Sequence, residues 1–212
     1  MKKIALINET SQASKNQMIY NSLLKVAGKH GHYVMNFGTY GADDKTQLTY
    51  VEAGLLTAIL INTKCADFVV TGCGTGEGAM LAANSFPNVL CGHIVDPSDA
   101  YMFMQINDGN AVSFPFAKGF GWGAELNLEY CFNELFEHES GNGYPKDRVI
   151  PEQRNKKILD EIKKVTHNDM LSIVKNIDKE FLMHTISGEN FKKLFTDNCD
   201  DSELSNYIKS LL

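Results

Sequence analysis

Ala66-Asp67-Phe68-Val69-Val70-Thr71-Gly72-Cys73-Gly74-Thr75-Gly76-Glu77-Gly78-Ala79-Met80-Leu81-Ala82-Ala83-Asn84 changes character twice. Its β-branched and aromatic start has the composition of a buried strand, and its Ala/Leu-rich end that of a helix. Between them the glycines make a turn with no bulk, which lets a ligand approach the backbone closely. A strand, a glycine-rich loop and a helix N-terminus in this order point free N–H groups at an anion or a developing oxyanion. Two proton carriers stand in the loop, Cys73 and Glu77. A thiol at a helix N-terminus has its thiolate favoured, and a carboxylate is a common general base. Singly, each has a plain structural reading: a small buried residue for Cys73, a helix-dipole partner for Glu77. Neither reading explains the clustered glycines around them.

Outward from this loop, strand and helix signals alternate. Lys3–Asn8, Tyr33–Phe37, Asp67–Thr71, Val89–Val95 and Ala111–Phe114 read as strands. Gln12–His30, a stretch ending near Thr63, the segment to Asn84, Pro97–Asn107 and Gly123–Phe136 read as helices. This alternation predicts an α/β fold, a five-stranded parallel sheet covered on both faces. Gly141-Asn142-Gly143-Tyr144-Pro145 breaks the pattern. Residues 1–150 therefore form the α/β domain and residues 151–212 a helical C-terminal extension. Helices are expected there over Pro151–Val165, Asn168–Leu182 and Gly188–Asp197, with a last turn at Ser202–Leu211.

The 212 residues carry a net charge of −6 and no basic stripe, which argues against a nucleic-acid partner. The start, Met1–Glu9, has neither a signal-peptide core nor a membrane span, so a cytoplasmic protein is expected. Five cysteines at irregular spacing, with no CxxC, give neither a disulfide framework nor a zinc site. The six histidines show no metal spacing, and His93, inside a strand, reads as a satisfied core residue.

Gly74-Thr75-Gly76-Glu77-Gly78-Ala79 also fits the dinucleotide fingerprint, with Asp96 lying 20 residues past Gly76. Against that rival, the loop follows the third strand rather than the first, and Glu77 would put a negative charge beside a pyrophosphate. Glu9-Thr10-Ser11, at the end of the first strand, reads equally as an N-cap by Thr10 or Ser11 and as part of a ligand site. Asn107-Asp108-Gly109-Asn110 reads by itself as a helix end and turn.

Together these pieces resemble the ribose-5-phosphate isomerase B and galactose-6-phosphate isomerase family over about residues 1–150. The resemblance rests on Met1–Ala5, Phe37-Gly38-Thr39-Tyr40, Cys73–Gly78 with Ala82-Ala83-Asn84, Asn107–Asn110 and Arg148-Val149. It implies a doubly wound, Rossmann-like sheet, homodimers or homotetramers with shared active sites, a phosphorylated sugar as substrate, and no metal or other cofactor. The implied reaction is aldose–ketose isomerisation through an enediol or enediolate. One branch of the family uses the loop cysteine as base and another the glutamate four residues on; this chain has both. A carboxylate is ionised at neutral pH and a thiol mostly is not, so Glu77 is the expected base, with Cys73 and Thr75 assisting. Glu9, Thr10, Ser11, Gly74, Gly76 and Gly78 would bind substrate, with Asn107 and Arg148 reaching in from the dimer partner.

The chain also departs from the pattern. The Asp-His after the first strand becomes Glu9-Thr10, and the histidine assigned to sugar ring opening becomes Ile106. Of two phosphate-binding arginines, the first becomes Tyr144 and the second is kept as Arg148. Lys118 is a possible stand-in for a third, and Lys118 or Lys15 is the next candidate for the anion after Arg148. A changed substrate accounts for these losses: a sugar phosphate that stays open-chain and needs no ring opening, such as a four-carbon one, which cannot close a furanose through its esterified oxygen. The alternatives are a non-catalytic sugar-phosphate binder and, further off, a nicotinamide-dinucleotide-binding protein.

Overall fold

The computed structural model describes residues 1–212. Strands β1 (Lys3–Asn8), β2 (Tyr33–Asn36), β3 (Phe68–Cys73), β4 (Cys91–His93) and β5 (Ala111–Pro115) form one sheet in the order β2-β1-β3-β5-β4. Every pair is parallel. Alternate residues serve opposite layers, as the period of a strand requires. Ile4 and Leu6 of β1 join one core with residues of α1 (Asn16–Lys29) and α5 (Ala124–Phe136), including Ile19, Leu23 and Phe132. Ala5 and Ile7 join the other core with Leu55, Leu56 and Ile59 of α2 (Tyr50–Asn62). No helix is long and apolar enough to cross a membrane.

Helix α2 opens on a capping box between Thr49 and Glu52. It is apolar all round because it lies between the sheet and the C-terminal helices. Next to it, α3 (Glu77–Asn84) approaches so closely that a Cβ on Gly54 would lie 2.6 Å from Cβ of Ala82. Asn84 ends α3 by exchanging two hydrogen bonds with the Cys91 backbone, at 2.8 and 3.0 Å. The Ala82-Ala83-Asn84 run is thus packing and anchorage: small residues for the helix crossing, an amide to pin β4.

Boundaries move where local chemistry intervenes. The strand expected over Val89–Val95 is only Cys91–His93, and the expected helix Pro97–Asn107 is α4 (Pro97–Met102) followed by a π-helical turn, Phe103–Asn107. In the extension, α6 spans Val149–Thr166, with Pro151 in its first turn, where a missing N–H is harmless. The single helix expected over 168–182 is two, α7 (Met170–Asn176) and α8 (Lys179–Thr185). Ile177 is extended there, and Asp178 accepts from Phe181 N–H at 2.8 Å, starting a new helix. Helices α9 (Phe191–Asn198) and α10 (Glu203–Ser210) complete the chain. Leu182, Phe191, Phe195 and Ile208 bury in the same core as Ile7 and Leu55, so α7–α10 pack as a further layer on the sheet unit. His184 Nδ1 contacts the buried Glu52 carboxylate at 2.5 Å across that seam. By contrast α6 has no buried residue.

Gly72 marks the tightest point of the sheet. A Cβ there would collide with the Phe114 carbonyl oxygen and lie 2.5 Å from the Phe116 ring. Gly72→Ala is expected to lose about 1–3 kcal/mol, lowering the melting temperature by roughly 3–10 °C. Gly28→Ala, in open space within α1, should leave it level or raise it. Circular dichroism melts check the pair; equal melting of Gly72→Ala and wild type rules out the close approach.

Candidate active site

Chain connections run outward from β1 to β2 on one side and from β3 to β4 and β5 on the other. The crevice between the C-terminal ends of β1 and β3 is therefore the switch point where open parallel sheets bind ligands. The segment Glu9–Gln12 leaves β1 on one side of it, and Cys73–Gly78 leaves β3 on the other.

The loop carbonyls are tied inward. Cys73 O accepts from Phe116 N–H at 2.9 Å and Gly74 O from Ala117 N–H at 3.0 Å. Thr75 O pairs with His93 Nε2 at 2.9 Å, so that nitrogen carries the ring proton. Gly76 O accepts from Ser113 Oγ at 2.5 Å and from Met80 N–H at 3.1 Å. The opposite groups are left over: the N–H groups of Gly74, Thr75, Glu77 and Gly78 have no acceptor in the protein. Only Gly76 N–H is engaged, donating to Cys73 Sγ at 3.2 Å. Gly76 must be glycine twice over: its φ is +80°, and a Cβ would fall 2.7 Å from the His93 ring. The result is a nest of N–H groups at the N-terminus of α3, suited to an oxyanion.

Cys73 is buried, with Thr75 Oγ1 4.0 Å from its sulfur. Glu77 is the first residue of α3, exposed, with no hydrogen bond or ion pair. Burial pushes the thiols of Cys65, Cys91 and Cys131 up to about 12, which makes them inert. The Tyr50 ring packs on Gly78, 3.1 Å from where a Cβ would stand.

On the β1 side the cap is Glu9, not Thr10 or Ser11. Its carboxylate accepts from Ser11 N–H at 2.8 Å and from the Ser11 hydroxyl. Thr10 N–H donates to Leu48 O at 2.7 Å. The donors that an anion would need at this turn are thus engaged, leaving the exposed Thr10 hydroxyl. Asn8 Oδ1 and Thr71 Oγ1, the buried side-chain polar atoms without a partner, sit at these same strand ends.

Asn107 and Arg148 are not brought to this crevice. Asn107 precedes β5 and so lies at the N-terminal edge of the sheet; the loop lies at the C-terminal edge, about 17 Å away along a strand of five residues. Arg148 is exposed at the start of α6. A cleft of about 330 Å³ near this second edge is lined by Ile106, Asp108, Gln153, Lys156, Lys157 and Asp160 among others. Asp96, which a dinucleotide reading would assign to a ribose, caps α4 instead, accepting from Asp99 N–H at 3.0 Å. Ser98 and Asp99 donate to its carboxylate and hold its pKa below the usual value.

Sequence reasoning missed His93 and Gln12. His93 is half-buried and props the loop. Its place at the C-terminal end of a strand is the available signal. Gln12 lies at the start of a helical segment, where nothing local marks it.

Residues 4–137 match the family model described as Ribose/Galactose Isomerase. Residues 165–211 match a second, described as Ribose-5-phosphate isomerase. The chain is similar to a 4-deoxy-L-threo-5-hexosulose-uronate ketol-isomerase solved with tartrate, at 60% identity and TM-score 0.97, over 99% of this chain and 98% of that one. It is similar to a ribose-5-phosphate isomerase from Vibrio parahaemolyticus at 44% identity and TM-score 0.96, over 100% and 99%. A ribose 5-phosphate isomerase from Thermotoga maritima, 21% identical with TM-score 0.58, shares the fold; it is matched over 98% of its length but covers only 76% of this chain.

Proposed function

From the premise that this chain belongs to the ribose/galactose isomerase family and is a sugar isomerase, we propose that it converts an open-chain keto-uronate of the 4-deoxy-5-hexosulose-uronate type between aldose and ketose forms. The observation that carries this is Ile106, at the place where the family resemblance puts a ring-opening histidine. An aldose closes its ring through a hydroxyl on C4 or C5. A 4-deoxy-5-keto sugar has neither, so no ordinary furanose or pyranose has to be opened and an apolar residue suffices. A carboxylate replaces phosphate as the distal anion, consistent with Tyr144 where the resemblance expects an arginine.

In this reading Glu77 takes the proton from C2, next to the C1 aldehyde. Negative charge collects on O1 and is met by the free N–H groups of the loop. Glu77 returns the proton to C1. The O2 proton passes to O1, with the Cys73 thiol and Thr75 hydroxyl as carriers, leaving a ketone at C2. The buried Glu9 carboxylate, whose two oxygens already accept from Ser11, takes a substrate hydroxyl as a further donor in this reading.

Asn107 and Arg148 then serve the crevice of a second copy, making a homodimer or larger assembly with shared sites. Ile150, Ile158, Ile162 and Val165 leave α6 with an apolar face in solvent, a surface a second copy would cover. If Arg148 of the partner grips the substrate's anion, Arg148→Ala weakens binding by about 1.5–3 kcal/mol, on the order of ten- to a hundredfold in KM. Steady-state kinetics test this, and an unchanged KM removes Arg148 from the site.

A second reading, a phosphorylated aldose, is favoured by the 44% identical ribose-5-phosphate isomerase and by Arg148. One experiment separates the two. The keto-uronate, ribose 5-phosphate and galactose 6-phosphate are each incubated with enzyme in D₂O and followed by NMR. The uronate reading requires the highest kcat/KM and deuterium incorporation with the keto-uronate; turnover of the phosphates alone overturns it.

A further inference from the structure

We infer that Lys15 is the substrate's anion-binding cation on the crevice side of each chain, an assignment that rests on the anionic-sugar reading above. Lys15 ends the turn that follows Glu9, and its ammonium reaches across to the β5 side. It donates to Gln12 Oε1 at 2.7 Å and to the Phe116 carbonyl, and lies 4.5 Å from the centre of the Phe120 ring. Both anchors belong to the catalytic rim. Phe116 N–H holds the Cys73 carbonyl, and Gln12 Nε2 stands 3.8 Å from where a Cβ on Gly74 would be. Asn8 Nδ2 fixes the same turn through Gln12 O at 2.8 Å.

Every contact of this ammonium is neutral. Lys15 takes part in none of the ion pairs. Partial burial lowers its pKa, as expected for a cation with no counter-charge. A structural strap alone would be served as well by a neutral donor. An ammonium has three donors, and two are engaged, leaving one for an incoming oxygen. A carboxylate arriving here would meet a cation partly shielded from water and already held in place, where a charge-assisted hydrogen bond outweighs a neutral one. The Ser11 and Thr10 N–H groups cannot do this work, being engaged by Glu9 and Leu48.

The test is calorimetry with tartrate on wild type, Lys15→Gln and Lys15→Arg, alongside kinetics with the keto-uronate. Lys15→Gln keeps a donor for the Phe116 carbonyl and removes the charge. It should weaken tartrate binding and raise KM about tenfold or more while kcat stays within about threefold. Lys15→Arg should recover much of the affinity. Tartrate affinity equal in wild type and Lys15→Gln, including no binding by either, overturns the assignment, as does a fall in melting temperature with KM unchanged. Failure of wild type to turn over the keto-uronate while Lys15→Gln still loses tartrate would reject the substrate reading and support Lys15.

Discussion

Glu77→Gln should remove nearly all isomerisation and all solvent proton exchange, a loss of about a thousandfold or more in kcat, whereas Cys73→Ser should slow the enzyme about tenfold. The asymmetry follows from where the two groups stand. Cys73 is buried at the end of β3, with its sulfur engaged by Gly76 N–H at 3.2 Å. That environment suits a group passing a proton between two oxygens. Glu77 opens α3 with a carboxylate bound to nothing, beside the N–H groups that would hold the enediolate oxygen. A base must reach the carbon proton while the neighbouring oxygen sits in the nest, and Glu77 starts from the nest's own edge. Glutamine keeps the size and removes the proton acceptor, so folding should be unaffected. NMR of substrate in D₂O reads exchange directly. The reverse pattern, exchange lost in Cys73→Ser and kept in Glu77→Gln, gives the base role to Cys73.

The second large effect is a recovery. A chain carrying Glu77→Gln and a chain carrying Asn107→Ala with Arg148→Ala should each be nearly inactive alone. If sites are shared, a hybrid dimer has one crevice with both lesions and one with none. Equal mixing after co-refolding should then return roughly a quarter of wild-type activity, since about half the dimers are hybrid and each has one intact site. The reason is topological: Asn107 lies at the edge of the sheet opposite the loop and cannot serve its own crevice. A mixture as inactive as its components would place each site within one chain, and light scattering on the same samples reports whether hybrids can form. A monomer at micromolar concentration would exclude sharing outright.

Part of the site is legible in the sequence. Cys73, Thr75 and Glu77 fall in a segment whose secondary structure is set locally: a strand, four glycines that remove bulk, a helix start. The place of Glu9 at the end of β1 is equally plain, but local rules give the cap to Thr10 or Ser11, and the fold gives it to Glu9. The rule that short hydroxyl or Asx side chains cap a turn passes over Glu9, whose longer carboxylate reaches the Ser11 N–H only in the folded chain. Likewise the split of residues 168–182 into α7 and α8 depends on Asp178 winning a competition that periodicity does not register.

The order of strands and helices, the two-sided burial of the sheet and the position of the glycine loop follow from the sequence alone, because apolar period, glycine placement and turn chemistry act over a few residues. Other features arise only in the folded chain: His93 propping Thr75 from 18 residues away, and Lys15 fixed to Phe116 from 101 away. The inward pull on the loop carbonyls, which leaves the N–H groups free, needs β4 and β5 in place beside β3. Their cause is strand order, which brings distant residues to one edge of the sheet, and no window of sequence shorter than the domain contains it.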